Sequence, residues 1–161
     1  MLEIQIPRFG SGKIVLKTIT DYTGTLSCGG RLTSGVEDRL RRLNAYLDIH
    51  VVSSDSFGTA QGQLAAIPLK PYILQTNKHA EEKRDYVASL EPNAIVAFGN
   101  GRNDALMLDA VKTAKGLAIA VDNGEGCALE AMQSAHIFVV GITNALDLLL
   151  EPLRLKATLR T

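Results

Sequence analysis

The sequence predicts an α/β protein: a Rossmann-like three-layer α/β/α sandwich with a mainly parallel sheet and a short N-terminal hairpin. Short runs rich in β-branched residues alternate with segments whose apolar residues recur at helical spacing. Strands and helices in alternation form a parallel sheet covered on both faces. The chain has 161 residues, 46% of them hydrophobic, and we expect a single domain over 1–161.

Each element follows from a local pattern. Ile4 and Ile6 alternate with polar residues, a turn is expected over 7–12, and a β-branched run over 14–20 completes the hairpin. Further strands are predicted at 49–53, 72–75, 94–98, 117–121 and 137–140. Helices are predicted to begin at Ser34, Asn103 and Asn144, and to occupy 59–66, 80–90 and 126–134.

Polar residues mark several helix starts. Ser34 precedes Glu37 by three residues, the spacing of a capping box. Asn103 and Asn144 are predicted N-caps, and Asp55 is predicted to cap the helix that follows it. The tail 151–161 alternates leucine with basic residues. This pattern is compatible with an edge strand, an oligomer contact or a disordered segment.

The candidate functional residues lie just after the strands. In parallel sheets, ligands bind outside the carboxyl ends of the strands. The polar segments at these places are Asp21-Tyr22-Thr23-Gly24-Thr25-Leu26, Ser53-Ser54-Asp55 and Gly99-Asn100-Gly101-Arg102-Asn103-Asp104, with Lys83 in the first turns of a helix. We therefore expect these segments to meet at one edge of the sheet.

Together these residue types suit phosphoryl transfer. A carboxylate such as Asp21 attacks phosphorus when a cation screens the two negative partners. Asp21 and Asp104 supply carboxylates for Mg²⁺, and asparagine oxygens supply neutral ligands. Gly24 lets backbone amides approach a phosphate, and Lys83 neutralises charge on the phosphorylated aspartate.

In order, the four segments resemble the four motifs of the haloacid dehalogenase (HAD) superfamily, and most closely those of the phosphorylation domain of P-type ATPases and its soluble relatives. The first segment is similar to D-K-T-G-T-L with Tyr22 in place of lysine, and the second to T-G-D. Lys83 stands where the third motif has its lysine. The fourth segment is similar to G-D-G-x-N-D with Asn100 in place of the first aspartate, and the resemblance runs from about 14 to 150.

The resemblance implies a Mg²⁺-dependent phosphatase that acts through an aspartyl-phosphate on Asp21. The roles it implies are as follows: Asp21, Thr23 and Lys83 are catalytic; Gly24, Thr25, Ser53, Ser54 and Lys83 bind phosphate; Asp21, Asn100, Asp104 and the Thr23 backbone carbonyl bind the metal; and Asn103 supports the metal ligands. The substrate is a phosphorylated molecule that the sequence does not name.

Two departures from the family pattern bear on turnover. Most phosphatases of the superfamily carry an aspartate two residues after the nucleophile, as general acid and base, where this chain has Thr23. A hydroxyl has no useful pKa near neutrality, so a contribution of about 10²–10⁴-fold is lost. Asn100 removes one negative charge from the cation site, so we expect weaker Mg²⁺ binding.

The spacing of the motifs excludes large insertions. About thirty residues separate Asp21 from Ser53, and about thirty more separate Ser53 from Lys83. Neither gap holds an ATP-binding domain or a large cap domain, so an open site is expected, which a second copy of the chain would be able to cover. The segment 27–33, with Gly29 and Gly30, is predicted to form a small flap beside Asp21.

Plainer interpretations remain open for several residues. Lys83 also lies on an apolar helical stripe, and Lys78 is a competing lysine. The segment 123–126 is interpreted first as a loop, and an approach of its glycines to the site is the alternative. Cys28 is expected to face the core. For the whole chain, the alternatives are a phosphate-binding regulatory or interaction module with little turnover, or a scaffold that keeps only the fold.

Composition narrows the class of protein. Lys plus Arg and Asp plus Glu both number 17, so no basic surplus favours nucleic-acid binding. Two distant cysteines form no disulfide framework, and three scattered histidines give no zinc spacing. No apolar run is long enough for a signal peptide or a membrane span, and we expect a cytoplasmic protein with no membrane partner.

Overall fold

The computed structural model describes residues 2–4, 13–15, 17–55 and 58–160. The strands are β1 (Leu2–Ile4), β2 (Lys13–Val15), β3 (Lys17–Asp21), β4 (Ser27–Cys28), β5 (Arg31–Leu32), β6 (Asp48–Ser53), β7 (Lys70–Ile73), β8 (Ile95–Gly99), β9 (Leu117–Asp122) and β10 (Ile137–Val140). The helices are α1 (Val36–Asn44), α2 (Ala60–Leu64), α3 (His79–Ala88), α4 (Ala105–Thr113), α5 (Leu129–Gln133), α6 (Ile142–Leu150) and α7 (Pro152–Leu159). Short 3₁₀ turns cover Pro92–Ala94 and Arg102–Asp104.

A six-stranded parallel sheet in the order β10-β9-β8-β3-β6-β7 forms the centre of the fold. β3 lies between β6 and β8, with Thr20 opposite Val51 on one side and Phe98 on the other. Because all these strands run in one direction, their carboxyl ends lie along one edge. The predicted Rossmann-like class is confirmed.

Helices cover both faces of this sheet. On one face, α1, α6 and α7 bury Leu40, Leu146 and Leu155 against strand residues such as Phe98. On the other face, α3, α4 and α5 bury Val87, Met107 and Ala131 against residues such as Ile19. Burial of each large apolar side chain contributes about 1.5–3 kcal/mol. The sheet is therefore the middle layer of three, as predicted.

The N-terminal hairpin is confirmed as an antiparallel pairing of β1 with β2. The predicted turn over 7–12 lies outside the described residues, and so does Ile6. The strand expected over 14–20 is present as β2 and β3, with residue 16 outside the described part of the chain.

Three of the predicted helix starts are wrong. Ser34 lies in a turn, and α1 begins at Val36 after Gly35, whose φ of 82° suits glycine. Asn103 lies within the 3₁₀ turn, and α4 begins only at Ala105. α6 begins at Ile142, before Asn144, whose Nδ2 donates to the Val140 carbonyl. In each case a glycine or a tighter turn sets the start of the helix.

Asp55 does cap the following helix, as predicted. Its Oδ1 accepts hydrogen bonds from the amides of Thr59 and Ala60, at 2.9 and 2.8 Å. The helix α2 that it caps is shorter than the predicted 59–66, and α5 is shorter than the predicted 126–134.

The C-terminal tail is a helix, not an edge strand. Pro152 occupies the first position of α7, where its missing N–H costs nothing. Leu155 is fully buried in the core, whereas Leu153 on the same helix is 80% exposed. The described helices include none that is both long and apolar enough to cross a bilayer.

One histidine is buried beneath α3. His50 of β6 is 3% exposed, and its Nδ1 lies 2.8 Å from the Tyr86 hydroxyl. Burial lowers the pKa of His50, and the charge of Lys70 lowers it further. The folded state therefore favours the neutral ring.

Replacing Leu155 tests whether the tail contributes to the core. Leu155→Ala removes buried methyl groups and is expected to lower the free energy of unfolding by about 2–5 kcal/mol. Leu153→Ala is the matched control, with an expected change within about 0.5 kcal/mol because that side chain is exposed. Urea unfolding followed by circular dichroism measures both, and equal losses would contradict a docked tail.

His50 is expected to make stability depend on pH. Its folded pKa lies below the unfolded value of about 6.5, so its contribution is complete above that pH and is lost as the pH falls towards the folded pKa. The slope from this one group is at most about 1.4 kcal/mol per pH unit. The free energy of unfolding should therefore fall less between pH 7.5 and pH 5 in His50→Gln than in the wild type. An equal fall in the free energy of unfolding in both proteins would show that His50 does not titrate in this way.

Candidate active site

Three charged side chains from separate elements meet at the carboxyl edge of the sheet. Asp21 ends β3, Asp104 lies in the 3₁₀ turn after β8, and Lys83 lies in α3. Lys83 Nζ is 2.5 Å from Asp21 Oδ1 and 2.7 Å from Asp104 Oδ1. Since β3 pairs with β8 and α3 packs against α4, these distant residues are brought together.

Water is almost excluded from this group. Asp21 is 5% exposed, and Lys83 and Asp104 are fully buried. Burial and, to a smaller extent, the Asp104 charge raise the pKa of Asp21 to about 7, although Lys83 opposes the shift. Burial also acts to lower the pKa of Lys83, but the charges of Asp104 and Asp21 outweigh it and raise that pKa. One lysine thus faces two carboxyl groups, so a further positive charge would be electrostatically favourable at this site.

Asp104 is held through both oxygens. Oδ1 accepts from Lys83, and Oδ2 accepts from the amides of Asn100 and Gly101, at 3.0 and 2.8 Å. A Cβ on Gly99 would lie 2.5 Å from the Asp104 Cβ, so a larger residue at 99 would displace this carboxylate. The fourth segment therefore serves to aim Asp104.

A second set of oxygens lies on the other side of Asp21. Thr25 Oγ1 is 3.4 Å from Asp21 Oδ2 and 3.2 Å from Asn100 Oδ1. Gly24 has a φ of 77°, and a Cβ there would lie 2.5 Å from Asn100 Nδ2. Gly24 thus allows the first and fourth segments to approach each other closely.

These oxygens are chemically suited to a magnesium ion. The Asp21 carboxylate, the Asn100 amide oxygen and the Asp104 carboxylate are hard ligands of the kind that Mg²⁺ prefers. The described residues contain no cluster of three or more His, Cys, Asp or Glu that would hold a metal without amide or carbonyl help. A cation here would rely on neutral oxygens and water for its remaining ligands.

The structure separates the two candidate lysines. Lys83 reaches Asp21, whereas Lys78 is exposed at the N-terminal end of α3. Glu82, which the motifs did not indicate, holds this end of the helix. Its carboxylate accepts from the amides of Gln75 and Thr76, from the Thr76 hydroxyl and from the Tyr72 hydroxyl. These hydrogen bonds fix the loop before α3, and Lys83 is the residue that follows Glu82.

The other predicted residues lie at the same edge with different partners. Ser53 is buried, and its Oγ accepts the Asp55 amide at 2.8 Å, while Ser54 is half-buried. The Thr23 hydroxyl is buried and has no hydrogen-bond partner among the described residues. Asn103 packs over Gly101, with Oδ1 against the place that a Cβ there would occupy. Their roles stay predictions.

The loop after β9 forms a further wall of the site, and Gly126 in it does approach the site, an alternative that the sequence left open. Asp122 Oδ1 accepts from the amides of Gly124 and Gly126, and the Gly126 carbonyl accepts from Asn100 Nδ2 at 3.2 Å. The Ala128 amide donates to the Asn100 carbonyl. Asp122 is the last residue of its strand, as Asp21 is of β3. That position in the sequence was the signal that could have indicated a residue near the site.

The predicted flap is present as the β4–β5 pair, which we call the flap (residues 27–33). Cys28 is exposed there, so the expectation that it faces the core is wrong. Cys28 pairs with Arg31 in this two-stranded sheet, which is separate from the central sheet. Between Asp21 and Lys83, the described residues form this flap, α1, β6, α2 and β7. No large cap domain is present among them.

Comparison with known structures identifies the fold. The chain superposes on the cobalt-bound deoxy-D-mannose-octulosonate 8-phosphate phosphatase of Haemophilus influenzae with a TM-score of 0.67 and 14% identity, over 92% of this chain and 95% of that one. The corresponding phosphatase of Moraxella catarrhalis, in complex with magnesium, phosphate and its sugar, gives 0.66 and 13% identity over 91% of both chains. The chain therefore has the fold of the HAD superfamily of hydrolases.

A transport ATPase shares the same fold over part of its length. A zinc-transporting PIB-type ATPase matches 79% of this chain but only 20% of its own, with a TM-score of 0.58 and 19% identity.

One relative is close in sequence. Uncharacterized protein MJ0073 of Methanocaldococcus jannaschii is 48% identical over 66 residues, which are 41% of this chain and 67% of that protein. The chain belongs to the same family as this archaeal protein. No family model matches the sequence.

Gly24→Ala tests the close approach of the first and fourth segments. The substituted residue would be strained at φ 77° and its Cβ would strike the Asn100 side chain. Gly29→Ala is the matched control, because Gly29 also has a positive φ, 57°, but has nothing within 4 Å of an added Cβ. We expect Gly24→Ala to cost about 1–3 kcal/mol more than Gly29→Ala in urea unfolding. Adding Asn100→Ala should recover part of that difference, and failure to recover any would contradict the contact.

Proposed function

We propose that this protein is a Mg²⁺-dependent phosphatase that hydrolyses phosphomonoesters through an aspartyl-phosphate on Asp21. The main support is the buried arrangement in which Lys83 lies 2.5 Å from Asp21 and 2.7 Å from Asp104 at the carboxyl edge of the sheet. Structural neighbours that are phosphatases with magnesium or cobalt bound also support it.

In this proposal the nucleophile is an Asp21 carboxylate oxygen, which forms a bond to phosphorus as the ester P–O bond breaks. The leaving oxygen takes the electron pair and gains a proton from water. A water molecule then attacks the phosphorus of the aspartyl-phosphate, and inorganic phosphate and Asp21 are released. Lys83 holds a phosphoryl oxygen and offsets its charge.

Asp21, Asp104, Asn100 and the Thr23 carbonyl would hold the cation. When bound, Mg²⁺ lowers the repulsion between the carboxylate and the incoming phosphoryl group. The chain's own contribution is to exclude water, to orient Asp21 through Thr25 and Lys83, and to aim Asp104 through two backbone amides.

A regulatory phosphate-binding module is the second candidate, and Thr23 and Asn100 favour it. Both Asn100 side-chain atoms already have partners, Thr25 and Gly126, and the buried Thr23 hydroxyl provides no acid or base. Under this alternative, Asp21 would be phosphorylated or would bind phosphate, but release would be slow.

Phosphate release from a panel of phosphomonoesters is the deciding measurement. We expect release by the wild type that requires Mg²⁺ and that disappears in Asp21→Asn. Asp109→Asn, which changes an exposed aspartate on α4, is the matched control and should retain activity. Release that persists in Asp21→Asn would overturn the assigned nucleophile, and a long-lived phospho-Asp21 without release would establish the second candidate.

Thr23→Asp tests the explanation for slow turnover. The new carboxyl group would supply the missing general acid and base, so we expect kcat to rise by about 10²-fold or more. The rise should follow a pH profile with a new ionisation, which a simple packing change would not produce. An unchanged kcat would show that proton transfer does not limit turnover.

Mg²⁺ binding is measurable without activity. A ligand that binds only the folded state stabilises it, by about 2.7 kcal/mol at a hundred times its dissociation constant. We expect Mg²⁺ to raise the thermal midpoint of the wild type but to raise that of Asp104→Asn much less. Equal shifts in both proteins would place the cation elsewhere.

A further inference from the structure

The carbonyl oxygen of Gly30, in the flap, receives an unusual concentration of hydrogen bonds. Tyr22 Oη, Thr59 Oγ1 and Gln63 Nε2 all donate to it, at 3.2, 2.8 and 2.7 Å. A carbonyl oxygen has two lone pairs, so three donors saturate it. These donors come from the residue after Asp21 and from the start and middle of the α2 region, so the flap is joined to two other parts of the site.

Further bonds hold the flap on both sides. Gln63 Oε1 accepts the Leu32 amide at 2.5 Å, so the Gln63 side chain holds two places on the same hairpin. On the opposite side, Glu125 Oε1 accepts the Gly29 amide at 2.5 Å. Asn123 Nδ2 donates to Thr33 Oγ1 at 2.7 Å. The flap is thus attached to α2 on one side and to the loop after β9 on the other.

Tyr22 connects these attachments to the nucleophile. It stands where the HAD motif that this chain resembles has a lysine, and it is 1% exposed. Its ring packs in the core while its hydroxyl reaches Gly30, and its own carbonyl accepts the Ser27 amide and hydroxyl at the base of the flap. A lysine in this place would bury a charge, whereas tyrosine offers a neutral donor.

We propose that the flap is a fixed wall of the phosphatase pocket and that Tyr22 is the positioning residue that sets its distance from Asp21. A lid that opens must break its attachments in each cycle. Here the bonds that Tyr22, Thr59 and Gln63 donate to the flap, and the one that Glu125 accepts from it, would have to break together. The fixed flap then selects substrates by the size of the leaving group that fits beneath it. This selection rests on the proposed function, but the fixing of the flap does not.

Hydrogen exchange measures the fixing directly. The amides of Gly29 and Leu32 should be protected in the wild type, and their exchange should become about 2- to 10-fold faster in Tyr22→Phe and in Gln63→Ala. Gln61→Ala, on the exposed side of the same helix, and Tyr86→Phe, which removes a hydroxyl elsewhere, are matched controls that should leave these amides unchanged. Exchange in the wild type as fast as in an exposed loop would overturn the proposal.

Activity tests the selection. Across a panel of phosphomonoesters with small and large leaving groups, Tyr22→Phe should reduce the spread of kcat/KM by about 10-fold, since a loosened flap accepts more shapes. Tyr86→Phe, the matched control, should leave both this spread and kcat on p-nitrophenyl phosphate within about 3-fold of the wild type, because its hydroxyl contacts His50 and not the flap. An unchanged spread with faster exchange would overturn the role of Tyr22 in selection. Absence of turnover in the wild type would overturn the proposed function alone, and the exchange result would still decide whether the flap is fixed.

Discussion

The buried contact of Lys83 with Asp21 and Asp104 is the interaction on which the rest of the site depends. A lone carboxylate at 5% exposure would carry a large desolvation cost, and a fully buried lysine would carry a larger one. Placed within 2.7 Å of each other, they compensate in part, and the balance left over is negative. That remaining negative charge makes a cation a suitable partner, while burial, followed by the charge of Asp104, raises the pKa of Asp21.

Precise contact of this kind requires the surrounding loops to be held. The chain does so mainly with backbone groups: two amides aim Asp104, and four donors secure Glu82 at the start of α3. Glycines at 24 and 99 permit approaches that a Cβ would prevent. The flap and the loop after β9 are joined to the same framework through Gly30, Glu125 and Asn123. The site is therefore built as a set of linked loops on a rigid sheet.

The departures from the family motif acquire a physical meaning in this framework. Asn100 contacts Thr25 through Oδ1 and Gly126 through Nδ2, so it ties loops together where an aspartate would add charge. Tyr22 ties the nucleophile segment to the flap, and Thr23 presents a buried hydroxyl with no partner among the described residues. Each change exchanges a charged group for a neutral one. Together they remove charged groups from the site, and Asn100 and Tyr22 add contacts between its loops.

From the sequence by itself, the alternation of strands and helices, the parallel sheet and the location of Asp21 and Asp104 at its carboxyl edge were all predictable. Periodicity and the placement of polar residues after apolar runs are local features, and parallel topology brings such residues to one edge. The helix starts at Ser34, Asn103 and Asn144 were not predictable, because the conformation of Gly35 and the 3₁₀ turn at 102–104 compete with ordinary capping. Only the tertiary structure decided that Lys83 and not Lys78 reaches Asp21, that the tail docks through Leu155, and that Glu82, Asn123 and Glu125 hold the site. Those contacts join residues far apart in the chain, and their formation depends on packing distances that no local pattern encodes.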